Sequence, residues 1–341
     1  MEKPSVLMVV ARYPPTYGHT TVINNLCKGL SALGHRTAIG AFSFTSDPPA
    51  NIQKVILNKF ELLKKGADSL DFDIIHPHQA RVLYYLLFRK TRKPVVLHYH
   101  AASNIIQELN LKLSMMLFKK RISKIICVSK KAQNHFDHWT GPSDAVVIYN
   151  GVDTNFYHPN LDKTYKKGSP QLLFVSVLRK YKRASDLVNA MPILLKKYPN
   201  AHLQIVGDGE EFSRLKELIK SKKLENSVEM TGRISDEELR YRYASCDIYV
   251  SASTNEHCPV PVFEAMACGK PLVLSKLESH EEILLASQAG MAFSNAEDFC
   301  DKVDRVFKDK NRYGHEAVSF AARHDWSHIA EQVADVYAKL I

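Results

Sequence analysis

Residues 251–274 read SASTNEHCPVPVFEAMACGKPLVL. A loop of small, polar and proline residues leads into Glu264-Ala-Met-Ala, a run of strong helix formers, and the apolar stretch 271–274 follows. Proline suits a first helical turn, so the spacing predicts a helix starting near Pro261. Glu256 then lies on the loop before the helix and Glu264 within its early turns, placing both within reach of one ligand. Free backbone N–H groups at that helix start favour an anion.

The same alternation of short β-branched runs with longer amphipathic stretches extends in both directions, as parallel sheets with crossover helices require. One series of strands is expected at 5–11, 37–42, 72–76, 94–98, 124–128 and 145–148. A second is expected at 172–177, 202–206, 227–230, 248–250 and 271–274. Between them, 150–168 is rich in Asn, Gly, Pro, Asp and Lys and has no apolar periodicity, which marks a linker. At the end of the chain, Ile329, Val333, Val336, Tyr337 and Leu340 recur at helical spacing. The expected domains are 1–155 and 169–322, with a linker at 156–168 and a final helix in 323–341. Open parallel sheets bind ligands beyond the carboxyl ends of their strands, so two such domains facing each other are expected to hold a ligand in a cleft.

The segment Glu264-Ala-Met-Ala-Cys-Gly-Lys-Pro, with Glu256 before it, resembles the signature of the retaining glycosyltransferases of family 4, also called group 1. Their signature is Glu-x7-Glu followed by Ala-Met-Ala-x-Gly-x-Pro. The resemblance runs in order along nearly the whole chain. It implies the GT-B fold, with two Rossmann-like α/β domains facing across a cleft and the final helix packed back on the first domain. It also implies a nucleotide-sugar donor, with Glu256 near the transferred sugar and Glu264 on the ribose hydroxyls.

Other positions are similar in turn. Tyr13-Pro-Pro-Thr-Tyr-Gly18 matches the family's glycine-rich first loop, where Gly18 lets backbone approach a phosphate; His19 stands where a second glycine is usual. His100 falls where the family has a histidine beside the reacting sugar, which implies a place in the active site. His76, His78 and His98 read as hydrogen-bonded core histidines. Lys182 is in register with the lysine that neutralises the donor diphosphate, and Arg179 stands two positions beyond Val177, which replaces the family's arginine. Gly207-Asp-Gly209 and Gly232-Arg-Ile-Ser resemble the loops around the nucleotide, with Ile234 against the base. Within Cys258-Pro-Val-Pro, the prolines lack N–H groups, leaving Val260 and Val262 as backbone donors toward sugar or phosphate.

Composition narrows the alternatives. The 341 residues are 45% hydrophobic and 24% charged, as in soluble globular proteins, and the apolar runs are strand-sized, so no transmembrane helix is expected. No signal sequence precedes the first strand, and a cytoplasmic location is expected. The six cysteines are scattered without a CxxC pair, which argues against a zinc or disulfide framework. A reaction without metal or cofactor is expected, with cationic side chains serving the phosphates. The net charge of +10 fits an anionic partner, yet no aromatic platform interleaves the basic residues, which disfavours nucleic acid. The acceptor is expected to be a glycan, a lipid or a small molecule. A non-catalytic sugar-nucleotide-binding protein and a nucleotide-sugar epimerase would share this architecture. Residues 111–133 hold seven basic and no acidic residues, beside Ile105, Leu109, Leu113, Met116 and Leu117 at helical spacing. Two readings of that helix stay open: a core helix with a solvated basic end, or a face that touches an anionic membrane.

Overall fold

The computed structural model describes residues 3–15, 17–102 and 104–341. The chain forms two compact units, one of Met1–Gly151 with Trp326–Ile341 and the other of Val152–Asp325. In the first, strands β1 (Val6–Val10), β2 (Thr37–Ala41), β3 (Gln53–Ile56) and β4 (Ile74–Pro77) form a parallel sheet in the order β3-β2-β1-β4. A single parallel bridge, Ile75 to Val95, joins it to β5 (Val96–Tyr99), β6 (Lys124–Cys127) and β7 (Val146–Val147). Helices α1 (Tyr17–Ala32), α2 (Lys59–Lys65), α3 (Leu83–Leu86), α4 (Ile105–Phe118) and α5 (Lys130–Thr140) make the connections. β1 reads VLMVV with every side chain buried, as a strand covered on both faces must be.

The second unit carries β8 (Gln171–Val175), β9 (His202–Val206), β10 (Val228–Gly232), β11 (Ile248–Ser251), β12 (Leu272–Ser275) and β13 (Gly290–Phe293) in the order β10-β9-β8-β11-β12-β13. All pairs are parallel, the doubly wound arrangement of nucleotide-binding sheets. Its helices are α6 (Ala184–Lys197), α7 (Phe212–Ser221), α8 (Asp236–Ser245), α9 (Val260–Ala267), α10 (Glu278–Ser287), α11 (Ala296–Lys308) and α12 (Lys310–Ala322). Their core centres on Phe174, Met191, Ile205, Ile248, Phe299 and Val303.

Two strands go beyond the sequence reading. β3 lies at a sheet edge with mostly exposed side chains, and its QKVI has no apolar run to reveal it. β13 opens on Gly290, where a Cβ would meet the Leu272 carbonyl oxygen at 1.9 Å, so close backbone approach replaces side-chain patterning there.

The last helix, α13 (Trp326–Ala338), returns to the first unit and buries Trp326, Ile329, Ala330, Val333, Val336 and Tyr337. It lies against α1 at Gly29, where an added Cβ would sit 2.7 Å from the Ala330 side chain. Gly29→Val is therefore expected to cost about 1–3 kcal/mol by overpacking in urea unfolding, and Ala330→Gly in that background should recover part of it. Unchanged stability in Gly29→Val would mean that the contact is slack.

Candidate functional site

In the second unit the strand order reverses between β8 and β11, so the loops after these neighbours diverge and open a crevice at their carboxyl ends. The loop after β8 brings Lys182, and the loop after β11 brings Glu256, 74 residues later. Their side chains form a largely buried ion pair, 16% and 13% exposed. The Thr254 amide donates to the Tyr181 carbonyl at 2.9 Å, and the Thr254 hydroxyl reaches the same oxygen at 3.2 Å, which ties the two loops together. The Ser279 hydroxyl holds the Glu256 carbonyl from α10 at 2.8 Å. Arg179 is half-buried at the start of the same basic loop, and its side chain has no ion pair among the described residues.

The turn after β9 meets this loop largely through backbone, with the Glu210 carboxylate accepting from the Lys180 amide at 3.2 Å. Gly209 has φ 155°, and a Cβ there would strike the Leu178 carbonyl oxygen at 2.6 Å. Only glycine allows that approach. Ile234 is half-buried between Gly232, with φ 71°, and Ser235, whose hydroxyl caps α8 by accepting from the Glu238 amide at 3.1 Å.

Helix α9 begins at Val260, with Pro259 as its cap and Pro261 in its first turn. The Val262 amide donates to the Pro259 carbonyl at 3.1 Å, which corrects the expectation that Val260 and Val262 are both available as donors. The tight proline turn consumes one of the two, and Val260 remains. Glu264 is buried, and the Tyr243 hydroxyl donates to its Oε2 at 2.8 Å. Loss of solvation pushes its carboxyl up to about 7, with Asp236 adding to the rise and hydrogen bonds from Tyr243 and Tyr157 opposing it. These two tyrosines stack edge to face at 5.7 Å and were not among the expected site residues. Their sequence surroundings carry no spacing signal, because one precedes the second sheet and the other sits on α8.

In the first unit Gly18 lies in the first turn of α1, and a Cβ added there would meet nothing within 4 Å. His100 follows β5 and belongs to a stack of imidazoles: His98 lies 4.6 Å from it, His78 5.2 Å and His19 4.4 Å. His78 Nδ1 and His100 Nε2 share a hydrogen bond of 2.9 Å. His19, which replaces a family glycine, thus packs on His100. Burial among these rings holds His19 down to about 4, His98 to about 3 and His100 well below the ordinary imidazole range. The expectation that His76, His78 and His98 are hydrogen-bonded core histidines needs correction for His98. Neither of its ring nitrogens has a partner among the described residues.

Helix α4 leaves part of its apolar stripe in solvent. It packs inward through Leu111, Ser114, Met115 and Phe118, whereas Ile105, Ile106, Leu109, Leu113, Met116 and Leu117 are 45% to 74% exposed. No helix among the described residues is long and apolar enough to cross a membrane.

The family described as Glycosyl transferases group 1 matches residues 160–332, and Glycosyltransferase Family 4 matches residues 17–156. An uncharacterized glycosyltransferase of Methanocaldococcus jannaschii is 25% identical over 358 residues, covering 98% of each chain. A phosphatidyl-myo-inositol mannosyltransferase of Propionibacterium freudenreichii is 27% identical, covering 81% of this chain and 72% of its own. Among solved structures, Anabaena HepE in complex with UDP and glucose is similar with a TM-score of 0.81 at 20% identity, covering 98% of this chain and 99% of its own. A glycosyltransferase from Rickettsia africae reaches 0.83 at 20% identity, covering 100% of this chain and 99% of its own. These structural likenesses establish a GT-B fold of two Rossmann-like domains.

The raised carboxyl of Glu264 has a consequence for stability. Its folded-state value of about 7 lies above the ordinary 4.5, so the unfolded chain ionises first and this group's contribution is lost as pH rises from about 4.5 through 7. Glu264→Gln keeps an acceptor for Tyr243 and cannot ionise. Its melting temperature without nucleotide is expected to match wild type near pH 4.5 and exceed it near pH 8, by a margin that opens across that window. A constant difference at all pH values would refute the burial of a titrating carboxyl.

Proposed function

This chain belongs to the glycosyl transferases group 1 family, and we propose that this glycosyltransferase moves a sugar from a UDP- or GDP-linked donor to a hydroxyl of a glycan, lipid or small-molecule acceptor, with retention of configuration. The observation that supports this reading most is the meeting of Lys182 and Glu256 at the reversal of strand order, beside the helix start that carries Glu264.

Glycosyl transfer passes through an oxocarbenium-like state, in which positive charge grows on the sugar and negative charge on the leaving diphosphate. In the proposed assignment Lys182 leaves Glu256 for the diphosphate, with Arg179 and the Val260 amide beside it. This arrangement neutralises the leaving group without a metal ion. Glu256, released from the lysine, faces the sugar. Glu264 accepts hydrogen bonds from the ribose hydroxyls, Ile234 lies against the base, and Gly209 keeps the loop next to the phosphates thin. In the first unit, Gly18 and His100 keep the roles that the resemblance implies for them. The acceptor hydroxyl attacks the face the diphosphate leaves, and the departing phosphate takes its proton.

The relatives include phosphatidyl-myo-inositol mannosyltransferases, which supports a lipid acceptor at a membrane surface. The exposed apolar face of α4 lies beside Lys112 and Lys120, both exposed. Lys119 and Arg121 are committed differently: Lys119 Nζ donates to the Pro142 carbonyl at 2.8 Å and Arg121 to that of Leu87 at 2.6 Å. An anionic bilayer is the proposed partner of this face, with each lysine near the surface contributing about 1 kcal/mol and the apolar side chains the rest.

Product analysis by mass spectrometry and NMR, with mixed UDP- and GDP-sugars, lipid and glycan extracts and no added divalent cation, tests the reaction. Wild type is expected to yield a product of retained configuration. Glu256→Ala should lower turnover with little change in nucleotide affinity, and Glu264→Ala should weaken nucleotide binding by about 1.5–3 kcal/mol. Full activity in both folded variants would remove the assignment, and sugar isomerisation without acceptor would replace transfer by epimerisation. In vesicle sedimentation, wild type is expected to bind anionic vesicles in a salt-dependent way. Lys112→Glu with Lys120→Glu should abolish the salt dependence, and Ile106→Glu with Met116→Glu should abolish binding; equal partitioning of all three would exclude membrane contact.

A further inference from the structure

β4 and β5 are neighbours running in parallel, and each brings two histidines two residues apart, His76 on β4 with His78 just after it and His98 on β5 with His100 just after it. Alternation along a strand puts each pair on one face of the sheet. His76, His78 and His98 are buried, and each offers a ring nitrogen lying within 4.8 Å of the other two. Their rings stack nearly parallel, with centroids 4.8 to 5.3 Å apart.

The hydrogen bonds divide the nitrogens in an informative way. His76 Nδ1 is paired with the Tyr337 hydroxyl, and His78 Nδ1 with His100 Nε2. His76 Nε2 and both nitrogens of His98 are buried without any hydrogen-bond partner among the described residues. His78 Nε2 has the Met8 thioether at 3.3 Å. A buried polar atom left unpaired costs about 1–3 kcal/mol, and a cation, which takes one nitrogen from each ring, would satisfy His76 Nε2 and one of the two His98 nitrogens. Metal-ligating histidines characteristically donate their second ring N–H to an outer partner, which fixes the tautomer. His76 with Tyr337, and His78 with His100, already have that outer partner, leaving Nε2 of each ring as the ligand atom.

We propose that His76, His78 and His98 form a binding site for a late first-row divalent cation of the zinc type. Imidazole nitrogens suit Zn²⁺, Co²⁺, Ni²⁺ and Cu²⁺, whereas Mg²⁺ and Ca²⁺ take oxygen ligands, and this cluster has none to offer. Zn–N bonds of about 2.0–2.1 Å at tetrahedral angles put ligand nitrogens roughly 3.3 Å apart. Reaching that spacing requires the rings to turn out of their near-parallel stack through both side-chain torsions, so that their in-plane lone pairs converge. The site does not rest on the sugar-transfer reading. One consequence does rest on it: a cation on His78 Nε2 makes His78 Nδ1 the donor to His100, so the cation positions His100 through the second shell of the site.

The test uses the full-length protein without sugar substrates. Metal analysis of the purified protein and titration of the chelator-treated protein with Zn²⁺ are expected to give about one equivalent bound per chain and a melting temperature raised by several degrees. Mg²⁺ should give no such rise. Co²⁺ should produce the visible bands of a tetrahedral, nitrogen-ligated ion. His98→Phe keeps an aromatic ring in the stack and removes a ligand; it is expected to lose the stoichiometric Zn²⁺ and the rise. The proposal is overturned if wild type binds no Zn²⁺ or Co²⁺, if Mg²⁺ stabilises equally, or if folded His98→Phe binds Zn²⁺ as wild type does. Should His98→Phe fail to fold, the Co²⁺ spectrum of the wild type decides, since octahedral oxygen-ligand bands would overturn the assignment.

Discussion

In a parallel sheet wound in both directions from its centre, two neighbouring strands must send their following loops to opposite sides, and the gap so created cannot be filled by either crossover helix. In the second unit those neighbours are β8 and β11, and the order β10-β9-β8-β11-β12-β13 leaves no freedom about where the gap falls. Everything chemical in that unit follows from this constraint. Lys182 and Glu256 are far apart along the chain and meet because their loops border the same gap. The Thr254 to Tyr181 clasp keeps the loops in register, and Gly209 lets the turn after β9 lie against them with no side chain between.

The cost of this arrangement is electrostatic. Lys182 and Glu256 are nearly out of water and neutralise each other. Among the described residues Glu264 has no cation, only the Tyr243 and Tyr157 hydroxyls, and burial drives its carboxyl up to about 7. A carboxylate with spare acceptor capacity in a dry pocket is poorly placed for stability and well placed to accept hydroxyl donors. Stability and the proposed ribose contact are therefore opposed at one residue.

The first unit has its own convergence. Strand alternation sets four histidines on one face of two adjacent strands, and α1 adds His19 to the stack. Tyr337 reaches His76 from α13, so the helix that ends the chain also bounds this cluster. The missing side chain at Gly29 is what allows α13 to lie so close to α1 at Ala330.

The sequence by itself determined the α/β class, eleven of the thirteen strands among the described residues, the helix start at the Glu264 segment and the family resemblance, because apolar runs and proline-marked turns are local signals. It also brought forward Glu256, Glu264, Lys182 and His100 through motif register. It was silent on β3, an exposed edge strand, and on β13, whose glycine is dictated by a neighbouring carbonyl. Only the tertiary structure decided that Lys182 pairs with Glu256, that Tyr157 and Tyr243 surround Glu264, and that the apolar stripe of α4 faces outward. It alone brought His76, His78 and His98 together, because contacts between loops and across strands depend on which strands are neighbours, and strand order is a property of the folded sheet that no local spacing encodes.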